Sequence, residues 1–435
     1  MRKIFLSVGY LVSCFFASPL SAMSFSDAYQ QLLIGNVAYQ QAHVELKAAK
    51  TGIRQALGGF LPMIQANVAS GYVDGTFFEN STREDQYSLS LRQPIYDRVL
   101  STQYQQAKVN VVQAELNLER ILQEQLLALS QAYFGVMQST ININIIQREA
   151  SALQKHYEQT KARQAVGLDS LADVYEASSR KEETTVRLQD EIQLQKQALV
   201  RLQQVLQYDV TNTSFPRLDL KSIHQSFDAE DVDILIDKYI EQNNAVQLQR
   251  QRLKLANLAL KLDKADILPK LNLTVSTSQI DRGGQSDFES GSSSKNRNVM
   301  LELSIPLFSG LQKMAKSRQS QLLFEAEKLS LQNIVETEKN RIRTTYGLKK
   351  NAFEKMNNLG SAFESASKVV ELRKENFFSG VGSNLDVLNA YQSKHNRERL
   401  WVSAIFDYLT QLVQFNVSVG RVGFDLITEV GGLML

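Results

Sequence analysis

The chain is poor in the residues that staple, punctuate or catalyse. Its 435 residues hold one cysteine, one tryptophan, six prolines and four histidines. With Cys14 alone, no disulfide within the chain and no CxxC metal or redox pair can form. His43, His156, His224 and His395 make no HxxxH pair. There is also no glycine-rich phosphate loop and no Gly-x-Ser-x-Gly elbow. No catalytic, metal or cofactor site is therefore expected. Each histidine falls in polar sequence and is expected at the solvated surface, as is Glu182-Glu183 between Lys181 and Arg187. The apolar stretch from Ile4 to Phe16 is well short of the ~20 residues that a permanent membrane helix needs. Formal charge is +2, and without Arg2 and Lys3 the balance is 46 basic against 46 acidic. Such a chain lacks the basic footprint of a nucleic-acid binder.

The first residues read as a secretory signal. Arg2-Lys3 supply the positive region, Ile4 to Phe16 the apolar one and Pro19-Leu20-Ser21-Ala22 a cleavage zone. Cleavage after Ala22 is the reading adopted. The alternative is a lipidated Cys14, since Leu11-Val12-Ser13-Cys14 resembles a lipoprotein motif, although Phe15-Phe16-Ala17 continue the apolar run. On either reading the mature protein works beyond the inner membrane.

A long-period duplication organises the rest. Asn36 lies 26 residues before Pro62 and Asn243 lies 26 before Pro269, an offset of 207; Pro94 and Pro306 are offset by 212. The run Gly167 to Ala177 returns as Gly380 to Ala390 at an offset of 213, with Gly, Asp, Val and Ala matching. A period this long marks two copies of one large unit rather than a short-repeat solenoid. The expected parts are a signal peptide at 1–22, a first repeat at 23–207, a connector at 208–230, a second repeat at 231–421 and a tail at 422–435. The connector and tail are expected to form a collar.

After each Leu-Pro pair the pattern has period two. Ile64, Ala66, Val68 and Tyr72 alternate with Gln65, Asn67, Ala69 and Gly71. Tyr87, Leu89 and Leu91 alternate with Ser88, Ser90 and Arg92. Leu271, Leu273 and Val275, then Val299, Leu301, Leu303 and Ile305, repeat the pattern. Runs of about ten residues suit tilted strands crossing a bilayer. Val73 to Asp85 and Gln279 to Asn298, polar and Gly/Ser-rich, are expected as loops. Only closed barrels survive in lipid, and they need about eight strands or more. Each hairpin alone could pack on a soluble core; if the strands span a membrane, four per chain require an oligomer whose subunits each contribute a sector.

Between strands lie helices of unusual length. Leu100 to Ala165 and Leu311 to Ser379 each predict about 100 Å of helix. Each is followed by a Gly-containing turn and a second helix, Ser170 to Gln207 and Ser383 to Val419. Apolar residues recur at steps of four and three. One series is Leu122, Leu126, Leu129, Tyr133 and Val136; a second resumes at Ile143, Ile146, Ala150, Leu153 and Tyr157. A third is Ala352, Met356, Leu359, Phe363, Ala366 and Val370, and the last helix has Trp401, Ile405, Tyr408, Leu412, Phe415 and Val419. Trp401 is expected in a seam. Phe25 to Gly59 and Asp231 to Ile267 are expected to hold further helices. Polar residues outside the seams suit helices with one face on a neighbour and the other in water.

Leu61-Pro62, Leu268-Pro269, Ser304-Ile305-Pro306-Leu307-Phe308-Ser309-Gly310 and the duplicated Gly…Asp-Val-x-x-Ala turns resemble the TolC-type outer-membrane efflux and secretion duct family, across nearly the whole mature chain. The resemblance implies an α+β membrane protein built as a homotrimer. Twelve strands would form an outer-membrane β-barrel in the lipid, continued by a periplasmic coiled-coil barrel of twelve helices. It also implies a passive duct, with a periplasmic adaptor (membrane fusion) protein and an energy-supplying inner-membrane ABC or proton-driven transporter as partners. Export would be of proteins by a type I route or, alternatively, of small toxic molecules by efflux. A surface coiled coil anchored by a barrel is a more remote alternative.

In that family the hairpin tips form an entrance that is closed at rest. Here the tips are the turns Gly167–Asp173 and Gly380–Asp386. Asp386 matches an inward acidic position, so three copies would ring the mouth, bind cations and take up protons readily. The competing reading is a helix N-terminal carboxylate favoured by the dipole; for Asp173 the two readings stand level. The family's second acid is Asn389 here, and its tyrosine and arginine are Phe377 and Gly382. A lock made of those two side chains cannot operate unchanged.

Overall fold

The computed structural model describes residues 22–73, 82–211, 213–216, 231–283, 292–308 and 310–421. The expected signal peptide up to residue 21, the connector from 217 to 230 and the tail from 422 lie outside them. Among the described residues the elements run α1 (Phe25–Gly35), α2 (Val37–Gly58), β1 (Met63–Val73), β2 (Thr82–Tyr96), α3 (Arg98–Ala165) and α4 (Leu171–Leu206). Then follow α5 (Val232–Tyr239), a 3-10 turn (Ile240–Gln242), α6 (Asn244–Ala265), β3 (Lys270–Arg282), β4 (Ser292–Ser304), α7 (Gln312–Phe378) and α8 (Asn384–Ser418).

The four strands form one antiparallel sheet in the order β1-β2-β3-β4, so β1 and β4 are its edges. The register sets like against like. Ile64 faces Leu91, Leu91 faces Val275 and Val275 faces Val299. One face is therefore apolar, while Asn67, Ser88, Ser278 and Asn296 line up on the other. The strands are longer than expected, with 11, 15, 13 and 13 residues. They continue through parts of Val73 to Asp85 and Gln279 to Asn298, which were expected as loops. At about 3.3 Å per residue, the longest outruns an apolar band about 25 Å tall. Its polar end can keep pairing in water, where Ser and Asp side chains need not face lipid.

Asn36 and Asn243 divide the two shorter helical stretches and join them to the long ones. The side-chain oxygen of Asn36 caps α2 by accepting from Tyr39 N–H at 3.0 Å. Its amide donates to the Val205 carbonyl and Gln125 Oε1, both at 2.9 Å. Asn243 caps α6 through Ala245 and Val246 N–H, and its amide donates to the Ser418 carbonyl at 3.0 Å and Glu338 Oε2 at 3.1 Å. Both asparagines are buried. Asparagine alone among small residues offers an acceptor for an orphan helix N–H and a two-hydrogen donor for an orphan C-terminal carbonyl.

Beside these staples lies the main core, where α1, α3, α4, α7 and α8 meet: Phe25, Leu32, Leu129, Tyr133, Phe134, Leu206, Phe406 and Leu409. Burial pushes the Tyr133 phenol upward, and it donates to the Met23 carbonyl at 2.9 Å. A smaller cluster joins α5, α6, α7 and α8 through Leu235, Tyr239, Val246, Ile342 and Phe415. Trp401 is a seam residue as expected, stacked on Phe363 at 5.4 Å. From the core, α3 packs along α4, α7 along α8, and α3 against α8.

Replacing either asparagine by alanine leaves buried partners unmatched, at about 1–3 kcal/mol each. Asn243→Ala is expected to lower the thermal midpoint more than Asn36→Ala, since Glu338 is a buried carboxylate. Paired melting curves check the order.

Candidate functional site at the hairpin tips

Both tips are built alike. α3 and α7 end on Gly167 and Gly380, each with φ of +77°, the left-handed conformation that ends helices. Leu168 N–H reaches the Arg163 carbonyl at 2.9 Å, and Val381 N–H reaches that of Asn376 at 3.0 Å. The second turn closes tightly at Gly382, where a Cβ would sit 3.1 Å from the Phe377 nitrogen. A longer side chain at that position would press on the end of α7.

The helices that leave the tips start with reciprocal caps. Ser170 accepts from Asp173 N–H while the Asp173 carboxylate accepts from Ser170; Ser383 and Asp386 repeat this. The Ser170 hydroxyl, then its N–H, hold the Asp173 carboxyl below the usual carboxylate range. For Asp386 the Ser383 hydroxyl comes first, its N–H second, and Arg373 at 3.9 Å adds to them. The helix N-terminal role of both acids is thus present within one chain. These contacts act against the ready proton uptake expected of a carboxylate ring. Asn389, one turn on, is exposed.

Of the residues that tie the two hairpins together, Phe377 was singled out in the sequence and Asn384 only as a helix start, while Arg163 and Thr160 were not and His156 was expected in solvent. Phe377 is buried between the first hairpin's His156, 5.6 Å ring to ring, and Arg163, whose guanidinium lies 4.7 Å over its face. Arg163 is itself held by both carboxylate oxygens of Asp169, at 3.1 and 3.0 Å. Asn384, the first residue of α8, hydrogen-bonds through Oδ1 with His156 Nε2 and accepts from Thr160 at 3.4 Å. Its amide donates to the Asp173 carbonyl at 3.4 Å. A cation–π contact and an asparagine bridge therefore brace one tip to the other. The arginine belongs to the first hairpin, so Gly382 is no gap in this arrangement.

Farther up the seam the polar theme continues. Glu149, 1% exposed, accepts from Arg187 at 2.8 Å, and Arg148 pairs with Glu398. His395 Nδ1 lies 3.4 Å from Glu398 Oε2, an ion-pair distance without hydrogen-bond alignment. His156 and His395 are thus buried, against the expectation of solvated histidines; His43 is exposed, and His224 lies outside the described residues. The reason is register. Near the tip the seam runs through Ile146, Glu149, Leu153, His156 and Thr160, while Ile143, Ala150 and Tyr157 sit at its flanks. That 3-4-3-4 spacing was readable, but its polar members disguised it. Among the described residues no group of His, Cys, Asp and Glu is arranged to hold a metal, and no helix is long and apolar enough to cross a membrane.

An open-edged sheet with an apolar face, carried on paired helices with structured tips, is the subunit fold of an outer-membrane export channel. The model of the outer membrane efflux protein family matches residues 28–207 and 235–420, and the chain belongs to that family. It is an outer-membrane protein with a periplasmic helical portion. The chain is 23% identical over 412 residues to the alkaline protease secretion protein AprF of Pseudomonas aeruginosa, covering 92% of this chain and 85% of that protein. It is 23% identical over 434 residues to outer membrane protein TolC of Vibrio cholerae, covering 95% and 94%. Among solved structures, CusC superposes with a TM-score of 0.78 at 15% identity, covering 94% of this chain and 96% of that one.

Burial first, then Lys374, lower the His156 pKa, against Asn384 and Asp169, which raise it. Released from the seam, the ring binds protons more readily. The brace is therefore at full strength above the ordinary histidine value of about 6.5 and weakens as pH falls through it. Trypsin cleavage at the tips is expected to be faster at pH 5.5 than at pH 7.5 relative to an unstructured substrate. His156→Gln, which keeps a donor toward Asn384, should flatten that ratio. Phe377→Ala removes a buried ring at a cost of about 3–5 kcal/mol and frees Arg163. It should raise tip cleavage at both pH values.

Proposed function

We propose that the chain is one of three identical subunits of a passive exit duct for type I protein secretion. Each subunit holds two copies of one structural unit and contributes four strands to a twelve-stranded barrel and four helices to a periplasmic tunnel. The observation that carries this reading is the sheet itself, with four strands, one apolar face and two unpaired edges. In lipid each unsatisfied backbone group costs several kcal/mol, so the edges must be covered by further copies. The periplasmic adaptor and an inner-membrane ABC transporter would meet the duct at the tips, with energy supplied by the transporter. The protease-secretion names of AprF and of PrtF from Dickeya chrysanthemi, 21% identical over 412 residues, favour protein cargo.

At the entrance, the Phe377–Arg163 stack and the Asn384 bridge hold the resting position, in place of a tyrosine–arginine lock. Asp386, whose side chain is 44% exposed, carries charge toward the mouth while capping α8. Gly167, Gly380 and Gly382 keep the turns narrow, and Asp173 and Asn389 present polar groups beside them.

In planar bilayers the purified protein should conduct with a preference for cations, and Asp386→Ala should reduce both that preference and block by divalent ions. Unchanged selectivity would remove Asp386 from the mouth. Deleting the gene is expected to deplete large proteins from the medium. Heightened sensitivity to small toxic compounds with an unaltered set of secreted proteins would favour efflux instead.

A further inference from the structure

The sheet contains the template for its own closure. Moving Met63 on by 207 and Arg92 on by 212 lands on Lys270 and Ser304, and both couples are paired in the sheet. The two hairpins thus share one register, related by the same offsets that relate their prolines. The joint between the halves, β2 with β3, pairs Leu91 with Val275, Arg92 with Thr274 and Tyr96 with Leu271, with an irregularity at Ile95. Among the described residues nothing occupies the matching joint, which would set β4 against β1.

The same shift applied to the β2–β3 joint carries Leu91 to Leu303, Arg92 to Ser304 and Tyr96 to Phe308. Applied backwards, it carries Val275 to Val68, Thr274 to Asn67 and Leu271 to Ile64. This register keeps faces matched, because Leu303 and Val68 both belong to the apolar face while Ser304 and Asn67 belong to the polar one. A slip of one residue would oppose apolar to polar along the whole joint. Slips of two would not, so the template is what selects among the face-matched registers.

Exposure points to the same joint. All residues of β4 are exposed, whereas the residues of β3 are mostly half-buried. Leu307 and Phe308 are 91% and 89% exposed, but their counterparts Ile95 and Tyr96, which lie beside β3 of the same chain, are 54% and 51%. At the other edge Leu61, Met63 and Ile64 are bare as well. The two apolar groups lie at corresponding ends of the open edges.

We propose that β4 pairs antiparallel with β1 of a second copy in this register, Leu303 opposite the partner's Val68 and Ser304 opposite the partner's Asn67. Leu307 and Phe308 seal the base of the joint against the partner's Leu61 to Ile64. The proposal rests on assembly from copies and adds which residues meet.

The test uses the full chain in outer membranes, carrying Leu303→Cys with Val68→Cys, or Ser304→Cys with Asn67→Cys. Successive pairs across antiparallel strands alternate between Cα spacings of about 4.5 and 5.5 Å, both within disulfide reach. Diagonal neighbours lie about 7–8 Å apart, beyond it. Leu91→Cys with Val275→Cys, a pair inside one chain, verifies that the oxidant reaches the sheet. After oxidation, at least one in-register variant should run without reductant as a covalent three-copy species. Leu303→Cys with Ala66→Cys, or with Ser70→Cys, should stay at one copy, as should each single cysteine. Cross-linking of a displaced pair, or of none in a particle with the mass of three copies, overturns the register and leaves the duct standing. A folded particle of one copy overturns both.

Discussion

A β-strand in hydrocarbon has no solvent to satisfy the backbone groups along its free side. Everything above and below this sheet follows from that constraint. Four strands with an apolar outer face can lie in a membrane only as a sector of something closed. Among the described residues the helices continue the strands directly, so in the proposed assembly they would inherit whatever symmetry the closure imposes. On the proposed assembly the tips, at the far end, would form a mouth only because the sheet gathers the copies around one axis.

The chain joins lipid-facing and water-facing parts by repeating a small number of local solutions. The buried asparagine that ends one helix, starts the next and grips the end of a distant long helix occurs twice with equivalent partners. The serine-aspartate box that starts a helix at each tip also occurs twice. What differs between the copies is the site. The first tip supplies an arginine, a histidine and a threonine; the second supplies a phenylalanine and an asparagine that receive them. The scaffold's local contacts recur in both halves, while the contact between the halves joins unlike residues.

Elements with strong periodicity were legible in the sequence. The apolar alternation of Val299, Leu301 and Leu303, and the steps of four and three from Leu126 to Val136, gave strands and seams where the structure has them. The polar continuations of the strands were hidden, because Ser, Asn and Gln can serve a loop or a ladder and only pairing decides. The tip brace was hidden for a related reason. Glu149 and His156 occupy seam positions, but a polar residue is read as solvated until its partner is known, and Arg187 and Asn384 lie 38 and 228 residues away. The capping serines and tip glycines, whose partners are local, could be read directly.

The core lies some 34 residues up α3 from Gly167, counting from Tyr133, and the asparagine staples lie beyond it. Those 34 residues make about 50 Å of helix at 1.5 Å per residue. A paired helix of that length behaves as a lever hinged at its packed end. A swing of only about five degrees at the hinge would carry the tip through roughly 4 Å, more than the width of a water molecule. Such a swing would separate Arg163 and His156 from Phe377, and Asn384 from His156, Thr160 and Asp173, while the Arg163–Asp169 pair, within one hairpin, could persist. In the proposed duct the energetic cost of dilation would thus be concentrated in a handful of side chains at the end of the lever arm, and the aperture could be tuned there without disturbing the body that would hold the copies together.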